Sequence, residues 1–291
     1  MTKRDPRIYQ ITALGILLAV GASLRDFAIR PEQSLGAFIA AWIAQKVGER
    51  FTSRAESGTR SALITGLSLS LLLRADDAWA HPLAALVAIG AKFALRVRDK
   101  HVFNPGNLGV IFALTLLPGT WVSPGQWGDD LALAGWFVAL GGIVVHRARR
   151  SDVSFAFLAF HLGFLALRVL WLGQRFAVWI HALQSGALLL FAFFMISDPK
   201  TIPDDTRGRI AHAALVATIT YVWQFALYRP NGLLWALFLA APAVPLWDLL
   251  WPARRYKWNA TEKDGGDGHG TAEDLALDAG ARCAGLARSA A

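Results

Sequence analysis

A lysine stands inside an apolar run: the stretch PLAALVAIGAKFALR, residues 82–96, sets Lys92 among alanines and branched aliphatic residues. An ionisable group in such a run is costly enough to be functional by default. Arg96 follows about one turn later, so snorkelling toward water competes with lining a path. Beyond it the chain reads VFNPGNLG, 102–109, with the form of a helix start: Asn104 as an amide cap, Pro105 in the first turn and Asn107 two residues on. The unpaired N–H groups of such a start either are simply capped or hold an anion or polar ligand. Ser61 and Thr65, in RSALITGLSL (60–69), lie four apart on one helix face, and Ser185 opens SGALLLFAFFMISDPKT (185–201). Small hydroxyl residues either line a polar path or let helices pack closely and hydrogen-bond across the contact. Asp198 precedes Pro199 and makes either a turn or a ligand-proximal carboxylate.

The elements that must position these residues are membrane helices. The chain has 291 residues, 55% hydrophobic and 17% charged, far from the roughly 25% charged content of soluble domains. A crossing helix needs about 20 apolar residues. Ten runs qualify as candidates, at 8–24, 34–50, 60–74, 79–96, 105–120, 130–147, 153–172, 178–197, 209–228 and 231–250, with the third and fifth short and broken by Gly, Pro, Ser and Asn. The first follows Lys3, Arg4 and Arg7, lacks a small-residue cleavage site and is kept as a mature span.

Basic residues between the runs set the expected orientation. With the amino terminus inside, the inner segments carry Lys3, Arg4, Arg7, Lys46, Arg50, Arg54, Arg60, Arg96, Arg98, Lys100, Arg147, Arg149, Arg150, Lys200, Arg207, Arg209, Arg254, Arg255 and Lys257. The outer ones carry Arg25, Arg30, Arg74, Arg175 and Arg229: nineteen against five, which predicts ten spans with both termini cytoplasmic. The net charge of +8 then belongs to loops beside anionic lipid, and nucleic-acid binding is not expected. Cys283 is alone, so no disulfide framework or thiolate metal site follows. No histidine pair on one run has ligand spacing, and no metal is expected. The Gly- and Ala-rich segment 258–291 reads as a disordered cytoplasmic tail. No phosphate-binding loop, nucleophile elbow or CxxC is present, so no residue is assigned a catalytic role.

An internal repeat runs through the chain. VFNPGNLG at 102–109 is echoed by LYRPNGLLWAL at 227–237, and SGTRSALITGLSLSLLL at 57–73 by QSGALLLFAFFMISDP at 184–199. The offset pairs the fifth run with the tenth and the third with the eighth. Five crossings are an odd number, so the copy enters from the other side and the repeat is inverted, with a path between halves 1–125 and 126–257 lined by the short helices.

In these motifs the sequence resembles the RnfD/NqrB family, membrane subunits of the Rnf and sodium-pumping NADH:quinone oxidoreductase complexes. RSALITGLSL, Lys92 followed by VFNPGNLG, SGALLLFAFFMISDPKT, RGRI (207–210) and RPNGLLWALFLAAPAVPLWD (229–248) come in the family's order. The resemblance implies an all-α integral membrane protein with about ten helices as a five-plus-five inverted repeat, similar to urea channels, in the bacterial inner membrane. It also implies flavin-dependent electron transport coupled to ion movement, with flavin- or iron–sulfur-containing redox subunits as partners. Beside its turn-forming role, Asp198 is a candidate for a cation or flavin-proximal site. The family's covalent FMN sits on a threonine in a motif after the fifth span. Here that segment is only PGTWVSPGQWGDD, 118–130, and Ala241 replaces the family's usual Asn. The chain therefore looks like a stand-alone RnfD-like member without covalent FMN, leaving a non-covalent flavin as the cofactor. The competing reading is a small-solute or cation transporter or channel on the same fold without redox chemistry.

Overall fold

The computed structural model describes residues 5–24, 29–52, 58–98, 100–123, 131–256 and 258. The tail predicted over 258–291 apart from Trp258, residues 124–130 of the short segment, Ser57, and the loop charges Lys3, Arg4, Arg25, Arg54 and Lys257 lie outside them.

Each of the ten apolar runs is helical over most of its length. The first half holds α1 (Pro6–Leu24), α2 (Pro31–Thr52), α3 (Gly58–Leu72), α4 (Ala80–Ala94) and α5 (Pro105–Leu116). The second holds α6 (Leu131–Arg147), α7 (Ser151–Trp171), α8 (Ala177–Gln184) running into α9 (Gly186–Leu190), α10 (Thr206–Tyr221), and α11 (Gly232–Ala240) running into α12 (Val244–Leu250). By length and composition, Ser151–Trp171 and Gly232–Leu250 can cross a membrane, and α8 with Gly186–Met195, bent by 49°, has the form of a broken span or a re-entrant loop. Together with lipid-type outer surfaces, such as Leu35, Ile39, Trp42 and Ile43 on α2, they define an all-α membrane protein.

Local sequence explains where the helices begin and break. The Asn104 side chain accepts from the Asn107 backbone N–H at 3.0 Å, and Pro105, which has no N–H to lose, sits at the first position of α5. Ser185 lies at the break between α8 and α9, its Oγ accepting from the Leu188 N–H at 3.4 Å. After α9 the chain continues in a π-helical turn, Phe191–Met195, a form that recurs at functional sites. With 12 residues, α5 rises only about 18 Å. It stops short of a roughly 30 Å hydrocarbon core, and its far end continues into β4 (Thr120–Val122), which pairs antiparallel with β1 (Leu73–Ala75) after α3. A second hairpin, β2 (Arg96–Val97) with β3 (Lys100–His101), joins α4 to α5.

Small residues let the helices close on one another. A Cβ on Gly109 would lie 3.0 Å from the Ala84 carbonyl, and one on Gly141 would lie 2.5 Å from the Phe193 side chain. These contacts seat α5 on α4 and α6 on the π turn, the packing that membrane helices need when lipid is as apolar as they are.

Candidate functional site

Most polar and charged groups of the short segments gather at the end of the bundle that carries the basic loops. There Arg60 of α3 reaches Asp5 at 2.7 Å, Arg7 grips the same carboxylate at 2.6 Å, and the Arg147 guanidinium lies over the Tyr9 ring. The opposite end holds Arg30 and Gln33, which donate to the carbonyls of the α3–α4 connection. A cavity opens in the basic end. Its floor is one face of α3, with Ser61, Thr65 and Ser68; Lys92 of α4 and Asn104 at the head of α5 form its sides. Phe194 and Met195 of the π turn and then Asp198 line it from the second half, together with Arg7, Arg96, Lys200 and Trp258.

Five of the seven residues singled out from the sequence thus meet: Ser61, Thr65, Lys92, Asn104 and Asp198. Asn107 does not line the cavity. One turn deeper in α5, its amide donates to the Leu234 carbonyl of α11 at 3.1 Å and ties the halves together. Ser185 also lies elsewhere, because α9 and the π turn separate it from the cavity wall and its hydroxyl is used as a cap. The cavity is lined by hairpin and loop residues such as His101, Asp198 and Lys200 as well as by helix residues. The π turn carries the chain to Asp198 at the basic end.

The sequence reading missed Gln10 and Ser68 on the cavity wall. Ser61, Thr65 and Ser68 form an i, i+4, i+7 polar stripe, the signal that could have found Ser68. Trp258 and Arg7 could not be foreseen, since they come from opposite ends of the chain.

Lys92 is only 3% exposed. Its ammonium donates to Gln45 Oε1 and to Ser61 Oγ, each at 2.9 Å, and Gln45 passes its own N–H to Glu49 at 2.8 Å. Thr65 and Ser68 turn their hydroxyl protons back to the Ser61 and Ile64 carbonyls. Asn104 Nδ2 reaches the Met195 carbonyl and Asp198 Oδ2, each at 3.4 Å. Burial pushes the Asp198 carboxyl above the usual range, against the Lys200 backbone N–H and the charge of Lys92; 18% of its side-chain surface stays open. Burial, aided by the charges of Lys92, Arg96, Lys200 and Lys100, holds the His101 imidazole down to about 3 and keeps it neutral. Its Nε2 stands 4.0 Å from Asp198, beyond hydrogen-bond reach.

Close by lies a closed ionic knot. The Lys100 ammonium is ringed by Asp248 Oδ2 at 2.7 Å, Asp204 Oδ2 at 3.0 Å and the Ile202 carbonyl at 2.7 Å. Asp248 Oδ1 accepts from the Asp204 N–H at 2.9 Å. Arg209 adds a bond to Asp152 at 2.6 Å and another to the Asp204 carbonyl.

The fold and site define a helical membrane protein with a charged, polar cavity at its basic end. The resemblance read from the motifs is supported by comparison: residues 125–257 match the model of the NQR2, RnfD, RnfE family. The chain is similar to the RnfD component of the ion-translocating oxidoreductase complex of Pectobacterium carotovorum, 31% identical over 134 residues, which are 45% of this chain and 36% of the relative. The corresponding protein of Erwinia tasmaniensis is 32% identical over 119 residues, 40% and 34% of the two chains. That of Pseudomonas paraeruginosa is 29% identical over 273 residues, 70% of this chain and 76% of the relative. The first two matches span about a third of the relatives' length.

Proposed function

We propose that this chain is a polytopic bacterial inner-membrane protein that acts in, or derives from, a flavin-dependent electron-transport system coupled to ion movement, and that it carries no covalent FMN. The observation that carries the reading is the similarity to the RnfD protein of Pseudomonas paraeruginosa over 70% of the chain, together with a polar cavity lined by residues of both halves. Redox subunits holding flavin or iron–sulfur centres are the partners it implies, and a non-covalent flavin is the cofactor. Phe194, Trp258 and the Asn104 amide among the lining residues offer aromatic and polar groups to such a ring.

The proposed architecture is ten crossings in halves 1–125 and 126–257, inverted relative to each other, with both termini cytoplasmic. Helix packing supports it. In the first half α2 lies on α4, α1 on α3 and α4 on α5. In the second, α7 lies on α10, α6 on α9 and α10 on α11. The helices that would flank a pseudo-two-fold axis pair with their own counterparts, α1 with α6 and α5 with α11. Against covalent FMN stands the state of Thr120, a threonine in the short segment where the acceptor would be sought. Its hydroxyl is spent on the Ala113 and Leu117 carbonyls at 2.9 and 3.0 Å, finishing α5.

The test is purification from native membranes. Redox subunits should copurify, flavin should be released by acid, and the denatured band should show no flavin fluorescence. Thr65→Val and Asn104→Leu should impair ion-coupled electron transfer in vesicles while expression and insertion hold. Solute or cation flux in liposomes containing this chain alone, with no redox partner recovered, would replace this reading by the channel one.

A further inference from the structure

The chain beyond α12 returns to the cavity. From Pro252 to Tyr256 it forms neither helix nor strand, and Trp258 is one of the residues lining the cavity. The Tyr256 and Trp258 rings meet edge to face, their centroids 5.1 Å apart. A cation from another segment clasps each. Arg150, between α6 and α7, lies over the Tyr256 ring at 4.8 Å, and Arg7, at the start of α1, lies over Trp258 at 4.7 Å. The Lys200 ammonium, from the cavity lining, donates to the Tyr256 carbonyl at 3.0 Å. The segment thus runs from the last helix of the second half to the first turn of the first half and borders the cavity at its far end.

These clasps differ in kind from the packing that seats the helices. Neither ring belongs to the apolar core, and Arg254 and Arg255 just before them are exposed. Burial nevertheless pushes the Tyr256 phenol up to about 12, the mark of a ring inserted among the loops rather than lying in water. Beneath that ring, Arg150 is only 8% exposed. Cation–π contacts are individually modest, so a segment fixed by a few of them can open while the helices stay folded. Release also strands no charge at Arg7. Its guanidinium keeps Asp5 at 2.6 Å whether or not Trp258 is in place.

We propose that residues 252–256 with Trp258 form a strap that gates the cavity: with both rings clasped, the polar wall of α3 is shut off from the water at the basic end, and release of the rings opens it. The gate is independent of the redox assignment, since it requires neither flavin nor a partner subunit. Its ligands are this chain's own arginines.

The test is cysteine accessibility in the full chain, purified in neutral detergent and carrying Cys283→Ser. Ser68→Cys places a thiol on the cavity wall, and its rate of labelling by a charged methanethiosulfonate reagent follows the fraction of molecules that are open. Trp258→Ala should speed that labelling about tenfold, the loss of one cation–π contact expressed as open fraction. Ser154→Cys, completely buried in α7 and outside the cavity lining, should stay unreactive in the same background. Equal labelling of Ser68→Cys with and without Trp258→Ala overturns the proposal. Reactivity gained by Ser154→Cys together with Ser68→Cys overturns it as well, because the segment is then a structural clasp whose loss loosens the bundle. If Trp258→Ala does not fold, Tyr256→Leu removes the ring over Arg150 and should speed labelling of Ser68→Cys by itself; an unchanged rate there is equally fatal to the gate.

Discussion

Two buried lysines at one end of the bundle are treated in opposite ways. Lys100 is enclosed by two carboxylates and a carbonyl, so its charge is cancelled and its position locked. Lys92 has an amide, a hydroxyl and the Phe93 ring as partners, and it lines a cavity. The first arrangement joins the β2–β3 hairpin of the first half to the 202–204 loop and α12 of the second, which is a structural task. The second sets a charge held by neutral groups beside open space. Burial by itself therefore does not mark a functional lysine; the charge balance of its shell does.

The largest expected effect tests the closed side of that contrast. Lys100→Met leaves Asp204 and Asp248 facing each other without their counter-ion, and should cost about 3–5 kcal/mol, read as a large drop in the unfolding midpoint or loss of folded protein in detergent. Equal tolerance of Lys100→Met and Lys92→Met would erase the distinction.

Acidification comes next. His101 has a depressed value in the folded protein, about 3, against an ordinary value near 6.5. Its contribution is present above the ordinary value and is lost as pH falls toward the folded one. Between pH 7 and 5 it should remove roughly 2 kcal/mol. Asp198 and Asp204, pushed upward by burial, act with the opposite sign, favouring the folded form as pH falls through their raised values. Comparing the wild type with His101→Gln across that range isolates the histidine, and the variant should show the shallower acid loss.

On the open side, Lys92→Met should change stability by no more than about 1 kcal/mol, or raise it, because it exchanges a buried charge held by neutral groups for an apolar chain. Loss of several kcal/mol there would mean that Lys92 is a structural partner like Lys100. Smallest of all, Ser185→Ala removes a long capping bond outside both clusters and should cost about 0.5 kcal/mol in a melting experiment, with no effect on the labelling of Ser68→Cys. A changed labelling rate in Ser185→Ala would reconnect the break between α8 and α9 to the cavity.

Helix positions were legible before any fold, because hydropathy and caps are properties of neighbouring residues. All ten apolar runs are helical over most of their length, Asn104 and Pro105 begin α5 as their types require, and Ser185 opens α9 as it opens the SGALLL stretch. The meeting of side chains was a different matter. Asn104 and Asn107 are one turn apart on a helix, yet one borders the cavity and the other faces Leu234, because only the packing of α5 against α11 assigns those directions. The Lys100 knot joins residues 148 positions apart, and the cavity draws Arg7 and Trp258 from near the two ends of the described chain. Local sequence sets which segments leave water. The charge balance around each lysine was decided only by tertiary structure, since it depends on which distant carboxylates the folded helices carry within a few ångströms.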